Sequence, residues 1–177
     1  MGDYSGERGE PPALNCGNIN LLFDGFYLKL RSASADGAVI QAWHARSGTK
    51  ENGTFDYSVA RQQMANLGPI PAGDYWIQPV QLRTKSVFHR RSAWGDFRIT
   101  IHPRTNTNTY SRGGFFIHGG DSFGSIGCID LAYGMNSFAS RLQALTPPPS
   151  RVCSTAPGQD CTIPLSVIYG AESVGEP

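Results

Sequence analysis

Residues 111–132 read SRGGFFIHGGDSFGSIGCIDLA. Phe115, Phe116 and Ile117 are a short apolar run of the kind a buried strand makes, and the run ends on His118. The glycine-rich segment that follows reads as a turn returning the chain to Cys128. At an unperturbed pKa near 8.5 a thiol is only about 3 % thiolate at neutral pH, so a cysteine that attacks a carbonyl needs a base within hydrogen-bonding reach. His118, ten residues ahead of Cys128, is positioned to be that base. Gly127 lets the backbone bend sharply before Cys128, bringing amide N–H groups toward a developing oxyanion. The competing reading is an inert buried cysteine and a hydrogen-bonded histidine at a strand end. The glycines and the apolar strand favour chemistry.

Moving outward, the pattern is that of a mostly β, α+β chain. LLFDGFYLKL (21–30) carries an Asp-Gly turn between two strand-like runs, and Asp36-Gly37 turns the chain into AVIQAWH (38–44). Pro69 and Pro71 fix a turn before a strand from Asp74 to Val80. DFRITIH (96–102) alternates, with Phe97, Ile99 and Ile101 on one face and Arg98, Thr100 and His102 on the other. Ile163 to Tyr169 is a last strand. Two helices are predicted. YGMNSFASRLQAL (133–145) sets Met135, Phe138, Leu142 and Leu145 at helical spacing and stops at prolines 147–149, and DYSVARQQMAN (56–66) is a second possible helix. A helix starting just after Cys128-Ile129-Asp130-Leu131 would aim its N-terminal dipole toward the thiol and favour thiolate.

The 177 residues fit one domain at 19–177 behind a loosely ordered arm at 1–18. A net charge of +1 gives no argument for nucleic acid, and no run is long enough to span a membrane. Arg83, Lys85, Arg90, Arg91, Arg98, Arg104 and Arg112 nevertheless cluster against a single acid, Asp96. They read either as a solvated face or as a cationic rim for carboxylate-bearing substrates. The polar, acid-bearing first residues do not resemble a Sec-type signal. Cys153 and Cys161 flank a short loop, STAPGQD, that a disulfide would close, which leaves Cys16 a lone thiol in the arm and points to an oxidising compartment. His44 and His89 have no distinguishing context.

The order His118 then Ser125-Ile126-Gly127-Cys128-Ile129 resembles the active-site motif of the L,D-transpeptidases; papain-like and NlpC/P60-like peptidases place cysteine before histidine. The resemblance is closest to the DUF2778 branch, which includes type VI secretion effectors. FDGFYLKL, AWHARSG, LGPIPAGDYWI, WGDFRITIHP and GGFFIHGG…SIGCIDL stand in the expected order along the chain. The chain departs from the broader family in carrying Asp130 where an arginine is usual and Ile126 where many relatives have histidine. The resemblance implies an L,D-transpeptidase-like β-sandwich and a cysteine enzyme acting on peptidoglycan tetrapeptide stems through a thioester acyl-enzyme, with no cofactor and no metal. Cys128 would be the nucleophile and His118 the base. Gly119, Gly120 and Gly127 would serve as oxyanion or tautomer supports, Ser125 as a support of the turn, and Asp130 as a helix cap or an orienter of His118. It further implies secretion without a Sec signal into the periplasm of a target bacterium, a cognate immunity protein and a secretion-apparatus carrier.

Three other readings use the same residues: a non-catalytic peptidoglycan-binding module, a housekeeping L,D-transpeptidase, and a metal-binding protein using His118, Cys128 and His102. The third is the weakest, because glycine-rich spacing is not that of a metal site.

Overall fold

Asp24 shows why the chain turns where it does: its Oδ1 accepts the backbone N–H of Phe26 at 2.9 Å and of Tyr27 at 2.8 Å, and Gly25 adopts φ +97°. That Asx turn joins β1 (Ile19–Phe23) to β2 (Tyr27–Ser32), and β3 (Val39–His44) follows. The computed structural model describes residues 6–11, 15–84, 94–145 and 161–170. Next come β4 (Arg46–Ser47), a small hairpin of β5 (Lys50–Glu51) and β6 (Thr54–Phe55), and α1 (Val59–Gln62). β7 (Gly73–Ile77), β8 (Arg83–Thr84), β9 (Phe97–Pro103), β10 (Phe116–His118) and β11 (Ile129–Asp130) lead to α2 (Met135–Leu145) and finally β12 (Ile163–Val167).

Among the described residues, ten of these strands form one mixed sheet in the order β3-β2-β1-β12-β7-β9-β10-β11-β4, with β8 also paired to β9. β3 and β4 stand at opposite ends of that order, yet only Ala45 separates His44 from Arg46. Nine strands laid flat at about 4.8 Å spacing would hold the two ends roughly 38 Å apart. A single intervening residue spans about 7 Å. The sheet is therefore rolled so that its two ends meet at the fully buried Ala45, whose N–H donates to Phe26 O at 2.8 Å. The mostly β, α+β class holds, and the expected sandwich takes the form of one continuous sheet wrapped around one core.

That core draws on both halves. Leu21, Phe23, Leu28 and Leu30 meet Ile99, Ile101, Ile117, Ile129 and the inward residues of β12, Ile163, Leu165 and Val167. α2 buries Met135, Phe138, Ala139 and Leu142, and Trp43 stands edge-on to Phe138 at 5.1 Å while its Nε1–H donates to Ser137 Oγ.

The structure departs from the sequence reading in three places. The helix expected over 56–66 is a single turn: Ser58 caps it by accepting the Arg61 N–H, and Asn66 has already turned to φ +62°. The described residues 6–11 of the arm are docked on the sheet. Gly9 N–H donates to Pro103 O and Trp76 Nε1–H to Gly9 O, while Arg8 reaches Thr109 Oγ1 at 2.6 Å and Glu10 pairs with Arg104. Finally, the disulfide joins Cys16 to Cys161, not Cys153 to Cys161. Cys16 N–H donates to Thr162 O and Asn15 bridges Thr162, so the backbone pairing itself brings the two sulfurs together. Cys153, His89, Lys85, Arg90, Arg91 and prolines 147–149 lie outside the described residues.

Candidate active site

The site is assembled by two short parallel strands. β10 and β11 pair with Ile117 level with Ile129 and His118 level with Asp130. Ile117 and Ile129 enter the core, so His118 and Asp130 share the opposite face. Cys128 stands directly before β11, and the backbone of Phe116, two residues before His118, hydrogen-bonds its sulfur. Cys128 is the free cysteine among the described residues and is 5 % exposed; His118 is 3 % exposed.

His118 Nδ1 lies 2.7 Å from Gly119 O. A carbonyl only accepts, so Nδ1 carries the proton, and in the neutral ring Nε2 is left with its lone pair. Trp94 covers the imidazole at 4.9 Å between ring centroids and meets Phe116 edge-on. Burial pushes the Cys128 thiol up to about 12, and the charge of Asp130 adds to that rise. The Phe116 backbone and the Arg112 and Arg98 guanidinium groups pull the other way. At rest the sulfur is therefore a neutral thiol.

Asp130 ties together the turns on either side of it and is not the N-cap of the following 3-10 turn, which is Leu131. Asp130 Oδ1 accepts the Ala132 N–H at 2.8 Å and its Oδ2 the Gly124 N–H at 3.0 Å, whereas His118 Nδ1 is 3.9 Å away. Burial raises its carboxyl above the usual range against those bonds and the nearby His118. A 3-10 turn at Ala132–Gly134 runs directly into α2, so the helical segment starts after Leu131 as the sequence predicts, with its first turn 3-10 rather than α.

The glycine loop is held from two sides. Ser125 Oγ–H donates to Cys128 O at 2.6 Å, and Ser125 and Gly48 exchange hydrogen bonds, Ser125 N–H to Gly48 O and Gly48 N–H to Ser125 Oγ. Arg112 lies against the loop's other side and is itself fixed by donating to the carbonyls of Gln62, Pro69 (2.6 Å) and Gly68 (2.8 Å) in the segment before β7. Gly127, at φ +119°, lies so close to Arg112 that a Cβ would stand 2.5 Å from Nη2. A Cβ on Gly119 would stand 2.7 Å from Ala132 O, and Gly120 is buried beside it.

Sequence reasoning missed three participants. Trp94 stood inside a quoted segment without a role, and nothing in its local pattern signals a lid over His118. Arg112 was hidden in a run of like charges. Gly95, at φ +57°, sits so close to Gly119 that an added Cβ would stand 3.0 Å from its Cα. His102, by contrast, is not at the site: it stacks on Trp76 at 4.0 Å and bonds Gln81 Oε1, four residues along β9 from Arg98. Among the described residues no group of three His, Cys, Asp or Glu side chains is arranged to hold a metal ion, and no helix is long and apolar enough to cross a membrane.

A family model described as the Tlde1 domain matches residues 43–147, more than half of the chain. The match begins in β3 and runs through every residue of the site. No curated protein matches the sequence.

Proposed function

The chain belongs to the Tlde1 domain family, a family of type VI secretion effector domains, and from that premise we propose that it cleaves or exchanges the peptide stems of bacterial peptidoglycan. Membership implies a secretion apparatus that delivers it into target cells and a cognate immunity protein. Cys128 attacks the carbonyl of the L-centre at position three, and the terminal D-residue leaves as the thioester forms. Water then releases a tripeptide, which is L,D-carboxypeptidase action. An incoming amine instead takes the acyl group, which is transpeptidation or D-amino-acid exchange.

In this reading His118 Nε2 takes the thiol proton and returns it to the leaving amine, while Gly119 O holds the imidazole in the required tautomer. The N–H of Cys128, with that of Gly127, binds the oxyanion. Gly120 and Ser125 support the turn. The observation that carries the reading is the pairing of β10, which ends on His118, with β11, which starts directly after Cys128, His118 Nδ1 being already engaged by Gly119 O. The neutral resting thiol fits a site that generates its nucleophile as the substrate arrives. Delivery to the periplasm agrees with a disulfide between Cys16 and Cys161, since such bonds persist in oxidising compartments.

Mass analysis of purified tetrapeptide muropeptides tests this. Tripeptide as product indicates hydrolysis, and an exchanged fourth residue after addition of a D-amino acid indicates acyl transfer. Cys128→Ala and His118→Ala are expected to abolish both while keeping the wild-type circular dichroism. Cleavage that survives in both variants refutes the mechanism, and sacculus binding without any mass change supports a binding module in its place.

A further inference from the structure

The basic run from Arg83 to Arg112 does not act as one surface. Arg104 pairs with Glu10 of the arm, whereas Arg112 turns inward behind the glycine loop. Its Nη1 donates to the carbonyls of Gln62 and Pro69 and its Nη2 to that of Gly68, while its Cζ lies 5.6 Å from the centre of the buried Phe115 ring. The guanidinium is thus fixed from the 62–69 segment. A Cβ on Gly127 would stand 2.5 Å from Nη2, which places that nitrogen within about 4 Å of Gly127 Cα, one residue before the sulfur.

The three acceptors are neutral, and among the described residues no carboxylate pairs with Arg112. A half-buried cation served only by carbonyls has given up hydration without gaining a counter-ion. The groups whose negative charge it would feel are Tyr75, Tyr169 and Cys128. Both phenols are committed as donors, Tyr75 to Pro71 O at 2.7 Å and Tyr169 to Ile70 O at 2.6 Å, and a carbonyl can only accept. They stay protonated, so Cys128 is the member of the three that can supply the missing charge.

The other pole of the site is built in the same way. Asp130 Oδ1 lies 3.9 Å from His118 Nδ1, and both carboxylate oxygens accept backbone N–H groups. When the Cys128 S–H bond breaks, its proton passes to His118 Nε2 and its electron pair stays on sulfur, so a thiolate and an imidazolium form together. The carboxylate then stands beside the imidazolium and the guanidinium behind the thiolate, each opposite in sign to the charge that develops. Arg112 leads Arg98 among the cations felt at the sulfur. Burial opposes the charged pair, and charges already in place offset that without reorganisation.

We propose that Arg112 is a positioning residue of this site: it holds a fixed positive charge behind Gly127 that stabilises the Cys128 thiolate as it forms. This rests on the peptide-cleaving reading above and deepens it. Arg112 acts through Gly127 and Cys128, so its effect falls on the chemical step and not on binding of the stem.

The test is alkylation of Cys128 in the full chain by iodoacetamide, a neutral reagent whose iodide the sulfur displaces; peptide mass mapping keeps Cys128 distinct from Cys153. Arg112→Lys keeps the charge and loses the fork that serves three carbonyls, whereas Arg112→Gln keeps N–H donors and loses the charge. Between pH 7 and pH 9 Arg112→Gln is expected to react about tenfold more slowly than wild type, the change one pKa unit makes, with Arg112→Lys within about threefold of wild type. A purely structural role predicts that both variants loosen the loop, uncover the sulfur and react faster. A rate in Arg112→Gln equal to or above wild type overturns the proposal, as do equal slowing in both variants and a wild-type Cys128 that does not react. If only Arg112→Lys folds, its rate decides, a tenfold loss overturning the proposal; a chain that folds with neither replacement overturns it too.

A second arm uses tetrapeptide muropeptides. Arg112→Gln is expected to lower kcat about tenfold with KM unchanged, and a raised KM at constant kcat overturns the assigned role. Wild-type protein that cleaves no stem defeats the peptide-cleaving reading itself, and the contrast between Arg112→Gln and Arg112→Lys in alkylation still decides what Arg112 does to Cys128.

Discussion

Gly127 concentrates the demands placed on a single residue. Its φ of +119° is a conformation L side chains rarely adopt, and an added Cβ would stand 2.5 Å from Arg112 Nη2. Arg112 can only retreat by releasing carbonyls of the 62–69 segment that it holds. Gly127→Ala therefore couples backbone strain to loss of a pin, at a cost of about 1–3 kcal/mol. A thermal melt should show a Tm several degrees lower, with muropeptide turnover reduced further than stability alone requires; a Tm within one degree of wild type, that being well under the roughly 2–4 °C expected per kcal/mol, removes the argument. The sulfur beside it makes a separate prediction. Because burial lifts the thiol to about 12, the neutral form dominates throughout the physiological range. Alkylation of the resting protein by iodoacetamide should rise steadily from pH 6 to pH 9. A plateau already reached at pH 6 would instead mean a preformed thiolate–imidazolium pair.

At the scale of elements, the arm is the feature most changed by folding. Strand β12 lies between β1 and β7, and the disulfide from Cys16 to Cys161 fixes the chain just before β1 to the chain just before β12. The bridged residues are 145 apart in sequence, so in the chain-entropy treatment the bond stabilises the fold by up to about 5 kcal/mol. Cys16→Ser and Cys161→Ser should lower the Tm equally, and reduction of wild type should reproduce the loss. Cys153→Ser should leave it intact, with peptide mapping under non-reducing conditions still finding the bond from Cys16 to Cys161. The arm has a pH dependence of its own. His102 is stacked on Trp76, which binds Gly9, and burial lowers its pKa below the ordinary 6.5. Its contribution is full above pH 6.5 and is lost as the pH falls from there through the folded value.

The strands were legible because each carries its own instruction. Asp24-Gly25 and Asp36-Gly37 mark turns, DFRITIH alternates, and α2 repeats its apolar residues at three- and four-residue steps. The disulfide was not legible, because proximity in sequence favours Cys153 while the pairing of Asn15 with Thr162 is decided by a strand 145 residues away. For the same reason His118 and Cys128 could be picked out from one local segment. Arg98 and Arg112 were visible only as members of a cationic run; their separate places, like that of Trp94, follow from strand register and loop packing, which a local window does not carry.

The whole molecule depends on its sheet closing. The family match covers residues 43–147 and runs from the end of β3 through α2, but the sheet order interposes β2, β1 and β12 between β3 and β7. Those three strands contribute Leu21, Phe23, Leu28, Leu30, Ile163, Leu165 and Val167 to the core, each no more than 1 % exposed. At about 1.5–3 kcal/mol for each buried apolar side chain, their removal costs roughly 10–20 kcal/mol, as much as the roughly 5–15 kcal/mol by which a domain is usually stable. The loss also takes all of β3 but Trp43 and His44 and leaves β7 as an open edge, with the apolar faces of Ile77, Ile99 and Ile101 uncovered. A fragment of residues 43–147 contains every residue proposed for the chemistry, yet it should not fold. Its circular dichroism should lack the cooperative melt of the full chain, and its Cys128 should react with iodoacetamide at the rate of a free thiol. A cooperative melt together with a protected Cys128 in that fragment would show that β4 and β7 to β11 close a core without β1, β2 and β12, and the rolled sheet would no longer be what holds the site together.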